Sequence, residues 1–198
     1  MLWPKNAPSG AREGRGYIAV VPLQTTVKDG YFVKLAGVWS SAQAAAITTY
    51  AGKPGWASAN DMLYTVATSG DTWTNPCYPF KRYHFQPESS DTAIDYATSG
   101  ESVVVFTAGE FETDQYAAAI TANMAVGSLL YLDSAGKLTS GQQLQASPSA
   151  GRPVAQFLGF NNNSPNSFDS NYMASGMLWF RLLPPFTSVA VATGTVTL

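Results

Sequence analysis

Along residues 17–198, apolar and polar positions alternate over short stretches that end at Gly, Asp, Asn or Ser and are rich in β-branched and aromatic residues. A period of two with that composition predicts strands. Tyr17–Val21 runs into Pro22, and the turn residues Val27-Lys28-Asp29-Gly30 precede Tyr31, Val33 and Leu35, which share one face; together these predict a first hairpin. Met62–Val66 is a further strand, closed by Ser69-Gly70-Asp71, and Val103–Phe106 reads as a buried strand punctuated by Gly109. Residues Gly127–Thr139 predict a hairpin turning at Asp133–Gly136, where the glycine takes a positive φ. Pro153–Phe160, Gly176–Leu183 and Val189–Leu198 complete the set. In the second of these, Leu178, Phe180 and Leu182 oppose Met177, Trp179 and Arg181, so that strand meets apolar matter on both sides.

Helical spacing is rare. Ser40 or Ser41 caps a short helix through Ala42, Ala44, Ala45, Ala46 and Ile47, with Gly52 and Pro54 to stop it. Three prolines and four aromatic residues crowd residues 75–87, which predicts an extended edge or a loop pinned by ring burial. The Asn-rich stretch Asn161–Ser167 is too long for a hairpin turn and suits a contact loop. Residues 1–16 hold Pro4, Pro8, Gly10, Gly14 and Gly16, which predicts an extended arm carrying Leu2 and Trp3 at its tip. The expected fold is therefore mainly β, a small β-barrel or β-sandwich with one or two short helices. It comprises an extended N-terminal arm (residues 1–16) and a single β-rich domain (residues 17–198). The similar pentamers Ala44–Thr48 and Ala117–Thr121 have unlike flanks and do not indicate duplication.

Composition adds a functional constraint. Hydrophobic residues make up 45% of the 198 residues, but charged ones only 12%, about half the usual share. So few charges suit a surface partly covered by partners. The net charge is −2 and the basic residues form no stripe, which argues against a nucleic-acid partner. A single cysteine, Cys77, excludes an internal disulfide. No apolar run approaches the ~20 residues of a membrane span, and the first residues lack a signal-peptide pattern, so synthesis in a cytoplasm without membrane insertion is expected.

Candidate chemistry is sparse. Cys77 and His84 share the proline-rich segment and offer a thiolate–imidazole pair, yet no third orienting group accompanies them; a buried thiol and a hydrogen-bonded ring are the plainer account. Glu110, Glu112 and Asp114 alternate, so on a strand they line one face about 7 Å apart, as a glycosidase pair or a calcium site requires. A solvated acidic rim is the default account, since calcium loops of the D-x-D-x-D-G order are absent from the sequence. P-loop, dinucleotide, zinc-protease and nucleophile-elbow motifs are absent from the sequence. Five tryptophans and ten tyrosines suit either core and interface packing or a platform for sugars.

Five pieces together carry a resemblance: Val103–Glu112, the alanine-rich Ala117–Ala125, Val126–Leu138, Arg152–Gly159 and Leu178–Leu182. In order and character they resemble the β-rich proteins that decorate and stabilise tailed-bacteriophage capsids. The resemblance implies a cement protein made in the host cytoplasm and seated on the capsid exterior of the virion. Such a protein bridges subunits of the major capsid protein, often as a trimer or other cyclic homo-oligomer, and has no active site, cofactor or metal. On that reading Leu2, Trp3 and Pro4 anchor the arm in a partner's pocket, while Lys5, Arg12 and Arg15 pair with acidic groups on the shell. The alternative is a carbohydrate-binding or fibre-type module using exposed aromatic rings, and a third possibility is a hydrolase working through Glu110, Glu112 or Asp114.

Overall fold

A computed structural model describes residues 2–4, 17–47, 56–73, 75–82, 96–141, 151–161 and 176–184. Its strands are β1 (Leu2–Pro4), β2 (Tyr17–Pro22), β3 (Val27–Lys28), β4 (Phe32–Val38), β5 (Met62–Val66), β6 (Cys77–Arg82), β7 (Tyr96–Ala97), β8 (Ser102–Phe106), β9 (Glu110–Thr113), β10 (Leu129–Leu132), β11 (Leu138–Ser140), β12 (Ala155–Asn161) and β13 (Met177–Leu182). A short helix, α1 (Ser41–Ala45), and a 3-10 turn at Ser69–Trp73 lie between strands. The strands form a six-stranded sheet (β1-β9-β13-β12-β10-β11), a five-stranded sheet (β2-β8-β6-β4-β5) and the pair β3-β7, and neighbours within each run antiparallel. The fold is mainly β, as the alternation predicts.

Alternation also explains how the sheets are layered. In β8, Val103 and Val105 point to one core while Val104 and Phe106 meet another; in β4, Val33 and Phe32 divide the same way. The five-stranded sheet thus has an apolar core on each face. One core lies between the two large sheets, where Phe106 meets Phe111 at 4.9 Å, Phe111 meets Phe180 at 5.8 Å and Phe180 meets Phe32 at 6.4 Å between ring centroids. The other gathers Val21, Leu23, Val33, Tyr64, Phe80 and Val103. There the sheet curls: Leu23, just past β2, bridges Tyr64 of β5, and the Gln24 amide donates to the Tyr64 carbonyl at 2.8 Å. That contact covers an edge that would otherwise invite pairing with another chain.

The two large sheets are joined at the β10–β11 turn. Asp133 organises it, its Oδ1 accepting from the amides of Ala135 at 2.8 Å and Lys137 at 3.0 Å. Gly136 takes φ +87° and its carbonyl oxygen accepts from the Phe32 amide at 3.0 Å, so the turn of one sheet caps the start of β4 in the other. The approach is close: a Cβ on Gly136 would stand 2.7 Å from Val66 Cγ1 and 2.8 Å from the Ala67 carbonyl oxygen.

Several expectations are corrected. Tyr17–Pro22 and Phe32–Val38 do not form a hairpin, because β2 pairs with β8 while β4 pairs with β5 and β6. Within residues 75–87, the expected edge or loop is instead an interior strand, β6. Proline is tolerated there because β6 changes partner at that point: Cys77–Pro79 pair with β4, and Phe80–Arg82 pair with β8. The tip of the expected arm is strand β1, registered on β9 with Leu2 opposite Thr113, Trp3 opposite Glu112 and Pro4 opposite Phe111. The helix forms with Ser40 as its cap, in a capping box with Gln43, but ends at Ala46, well before Gly52. Residues 162–167 of the Asn-rich loop and the predicted strand Val189–Leu198 lie outside the described residues.

Asp71 ties the 3-10 turn to β4. Its carboxylate accepts from the Thr68 amide at 2.8 Å, from Thr68 Oγ1 at 2.9 Å and from Lys34 Nζ. Burial pushes this carboxyl up, but the hydrogen bonds from Lys34 and Thr68 outweigh it and hold the group below its ordinary 3.8. The folded protein therefore keeps this charge to lower pH than the unfolded chain does, so the stabilisation is complete above about pH 5 and is lost as pH falls through the folded value. Asp71→Asn is expected to lower unfolding stability at pH 7 by ~1–3 kcal/mol, with the gap to the parent closing toward pH 3 in urea titrations. A gap independent of pH would contradict this role. Gly136→Ala, strained in φ and in clash with Val66, is expected to cost ~2–4 kcal/mol by the same measurement, and a cost under ~0.5 kcal/mol would contradict the close seating.

Candidate functional site

The residues expected to grip a partner divide. Leu2 is fully buried in the core between the sheets of its own subunit, and Lys81 Nζ donates to the Leu2 carbonyl oxygen at 3.1 Å. Its expected role as an anchor in another chain's pocket is corrected accordingly: the apolar tip fills the chain's own core. Trp3 and Pro4 are placed by backbone pairing on β9. Lys5, Arg12 and Arg15 lie outside the described residues.

The acidic series does not converge. Glu110 pairs with Arg181, whose Nη2 lies 2.5 Å and Nε 3.0 Å from Glu110 Oε1. Glu112 is fully buried, in register with Trp3 on one side and Trp179 on the other. Asp114 lies past the end of β9 and accepts from Gln115 Nε2 at 2.7 Å. One is an ion pair at the surface, one is inside, and one serves the chain beyond the strand. Among the described residues no three His, Cys, Asp or Glu side chains gather to hold a metal.

Cys77 is a poor nucleophile. Burial pushes its thiol up to about 12, the nearby Asp71 carboxylate adds to this and Lys34 offsets little of it. The thiol donates to the Asn75 carbonyl at 3.4 Å, and His84 lies outside the described residues. Of the described aromatic rings, Tyr96 is the large exposed one, and Lys28 Nζ sits 6.0 Å from its centroid. The described surface thus holds no pair of exposed rings for a sugar to lie across.

A different surface emerges from β4, α1 and β5. A bulge between Leu35 and Gly37, with Gly37 at φ +149°, breaks the alternation of β4 and turns Leu35–Val38 outward together. Leu35 is 45% exposed, Val38 60% and Met62, its partner across the ladder, 41%. Helix α1 continues the surface without burying any of its residues. Trp39, Ala57 and Leu63 support this ledge from inside with Ile47 packed against them, and the Trp39 indole N–H is buried without an acceptor. Residues 35–52 contain no Asp, Glu, Lys, Arg or His. That charge-free run was the available sequence signal, overlooked because its alanines read simply as helix formers.

Compared with known proteins, the chain matches no family model, no curated protein and no solved structure. No helix among the described residues is long and apolar enough to cross a membrane.

With its thiol raised so far, Cys77 is expected to resist alkylation by iodoacetamide at pH 8 in the folded protein, reacting more than about a hundredfold slower than in urea. Equal rates in the two conditions would contradict its partial burial.

Proposed function

We propose that this chain is a non-enzymatic structural protein of a virion, which docks on the outer capsid surface and stabilises the shell by bridging subunits of the major capsid protein. The observation that carries the reading is the apolar ledge at Leu35, Val38 and Met62, continued by α1 within the uncharged run 35–52. Apolar side chains grouped on a surface rimmed by polar residues mark protein interaction sites, and water released from them on docking favours attachment. A face without charge suits the centre of an interface, where charged groups are depleted.

Bridging needs a second contact. Lys5, Arg12 and Arg15 supply it in this reading, by pairing with acidic groups on the shell, while Leu2 holds the tip of the segment to its own subunit. Association into a cyclic oligomer, with a trimer favoured, multiplies such contacts without new chemistry. Local openings of the shell then become rarer because the bound chain favours the closed state by mass action.

The test is co-sedimentation with purified capsids of the virus that encodes the chain, across a concentration series. Val38 is so exposed that Val38→Asp leaves folding intact, and it is expected to weaken binding about tenfold or more. Undiminished binding by the folded variant, or no binding by the parent chain, would overturn the proposal.

A further inference from the structure

Trp39 lies within the ledge, between Val38, which is 60% exposed, and Ser40, the cap of α1. Trp39 itself is 3% exposed, and its Nε1–H is enclosed without an acceptor. Buried indole N–H groups normally find a partner, because a donor shut away from water without one raises the free energy of the chain. The local structure keeps this donor where it is. The Trp39 amide donates to the Asp61 carbonyl, and the Trp39 carbonyl accepts from the Asn60 amide, both at 2.8 Å. Asn60 makes the turn that returns these groups, at φ +72°, the one positive value outside glycine among the described residues. Asp61 Oδ2 closes the turn by accepting from the Ser58 amide at 2.7 Å. The ring packs with Ala57 and Leu63, whose side chains carry no acceptor.

Helix α1 follows directly along the chain and is held lightly. It buries none of its residues, and its start rests on the exposed capping box, where the Ser40 amide donates to Gln43 Oε1 at 3.0 Å and the Gln43 amide to Ser40 Oγ at 3.1 Å. Its far end is pinned through Ile47, which packs against the Trp39 cluster and fills the space that a Cβ on Gly100 would need. A segment with so little buried surface opens at a small fraction of the cost of global unfolding. With α1 seated, the Trp39 donor is unmet; a shift of α1 gives that donor access to an acceptor from outside. A partner covering the ledge supplies both the acceptor and the apolar cover that the shift removes, and so favours the shifted state.

The acceptor that fits is neutral. Residues 35–52 contain no charged side chain, and Ala57, Leu63 and Ile47 pack with the ring, so a carboxylate entering here would lose its water without gaining a cation. A backbone carbonyl costs far less to desolvate.

We propose that the Trp39 indole N–H is the directional contact of the ledge: on docking, α1 shifts and a backbone carbonyl from an uncharged loop of the capsid subunit accepts from Nε1. The identity of the partner rests on the capsid reading, whereas the unmet donor does not. The bond is made only in the complex, so it strengthens docking and fixes its orientation without stabilising the free chain.

Two substitutions in the full-length chain test it. Replacing Trp39 site-specifically with benzothienylalanine keeps the fused ring and exchanges the N–H for sulfur. The folded chain is expected to keep its unfolding equilibrium constant within about threefold, while its affinity for purified capsids falls about fivefold or more, the worth of one hydrogen bond. Ile47→Ala frees the far end of α1, and it is expected to speed deuterium exchange at Trp39 Nε1 in the free chain by about tenfold or more. The equally unpartnered Trp179 Nε1–H, in the six-stranded sheet, is the internal reference. Parent-like capsid binding by the isostere would overturn the contact alone. A larger loss of stability in the isostere would also overturn it, because the donor is then already satisfied in the free chain. Exchange accelerated no more at Trp39 than at Trp179 would overturn the shift of α1. Capsids that do not bind the parent chain would overturn the partner's identity, and the contact with it.

Discussion

At Gly136 the turn between β10 and β11 comes within van der Waals contact of Val66 and Ala67, closer than any residue with a side chain allows. The approach lets the Gly136 carbonyl take the Phe32 amide, and this seats Phe32 on Phe180 in the core between the large sheets. From that junction β4 continues outward to its bulge, and the bulge turns Leu35–Val38 to solvent. The close seating of Gly136 thus fixes the start of the strand whose bulge carries the ledge. Leu2 closes the same core at its β1 side.

Much of this was legible in the residues. Met62–Val66 has the predicted bounds, the Asp133–Gly136 turn was marked by its own chemistry, and Ser40 caps α1 because Ser and Gln stand at capping-box spacing. Pairing was less legible, since period two fixes which face a residue takes but not which strand lies beside it. Tyr17–Pro22 accordingly found β8, far along the chain, instead of the nearby β4. Proline misled at β6 because the argument against interior proline assumes one continuous partner, whereas Pro79 sits where the partner changes. At the N-terminus, Gly and Pro content hid the strand, because the three residues Leu2–Pro4 suffice for β1.

The candidate chemistry followed the same division. Alternation placed Glu110 and Glu112 on one face of β9, and the structure agrees, yet burial separates their roles: Glu110 meets Arg181 at the surface while Glu112 is enclosed. Burial depends on what lies across the sheet, which a linear pattern does not encode. Cys77 likewise owes its raised pKa chiefly to burial, which its own segment does not reveal. The low charge content remains the most informative bulk property, because the uncharged residues 35–52 include Leu35–Val38, which the fold leaves facing outward.

The central claim is that this outward, apolar ledge is where the chain meets another protein. A density map of the native particle with the chain in place tests it most directly. The account predicts Leu35, Val38 and α1 enclosed against the shell, with Leu2 inside its own subunit. A ledge facing open solvent, with the chain held through another face, would contradict it.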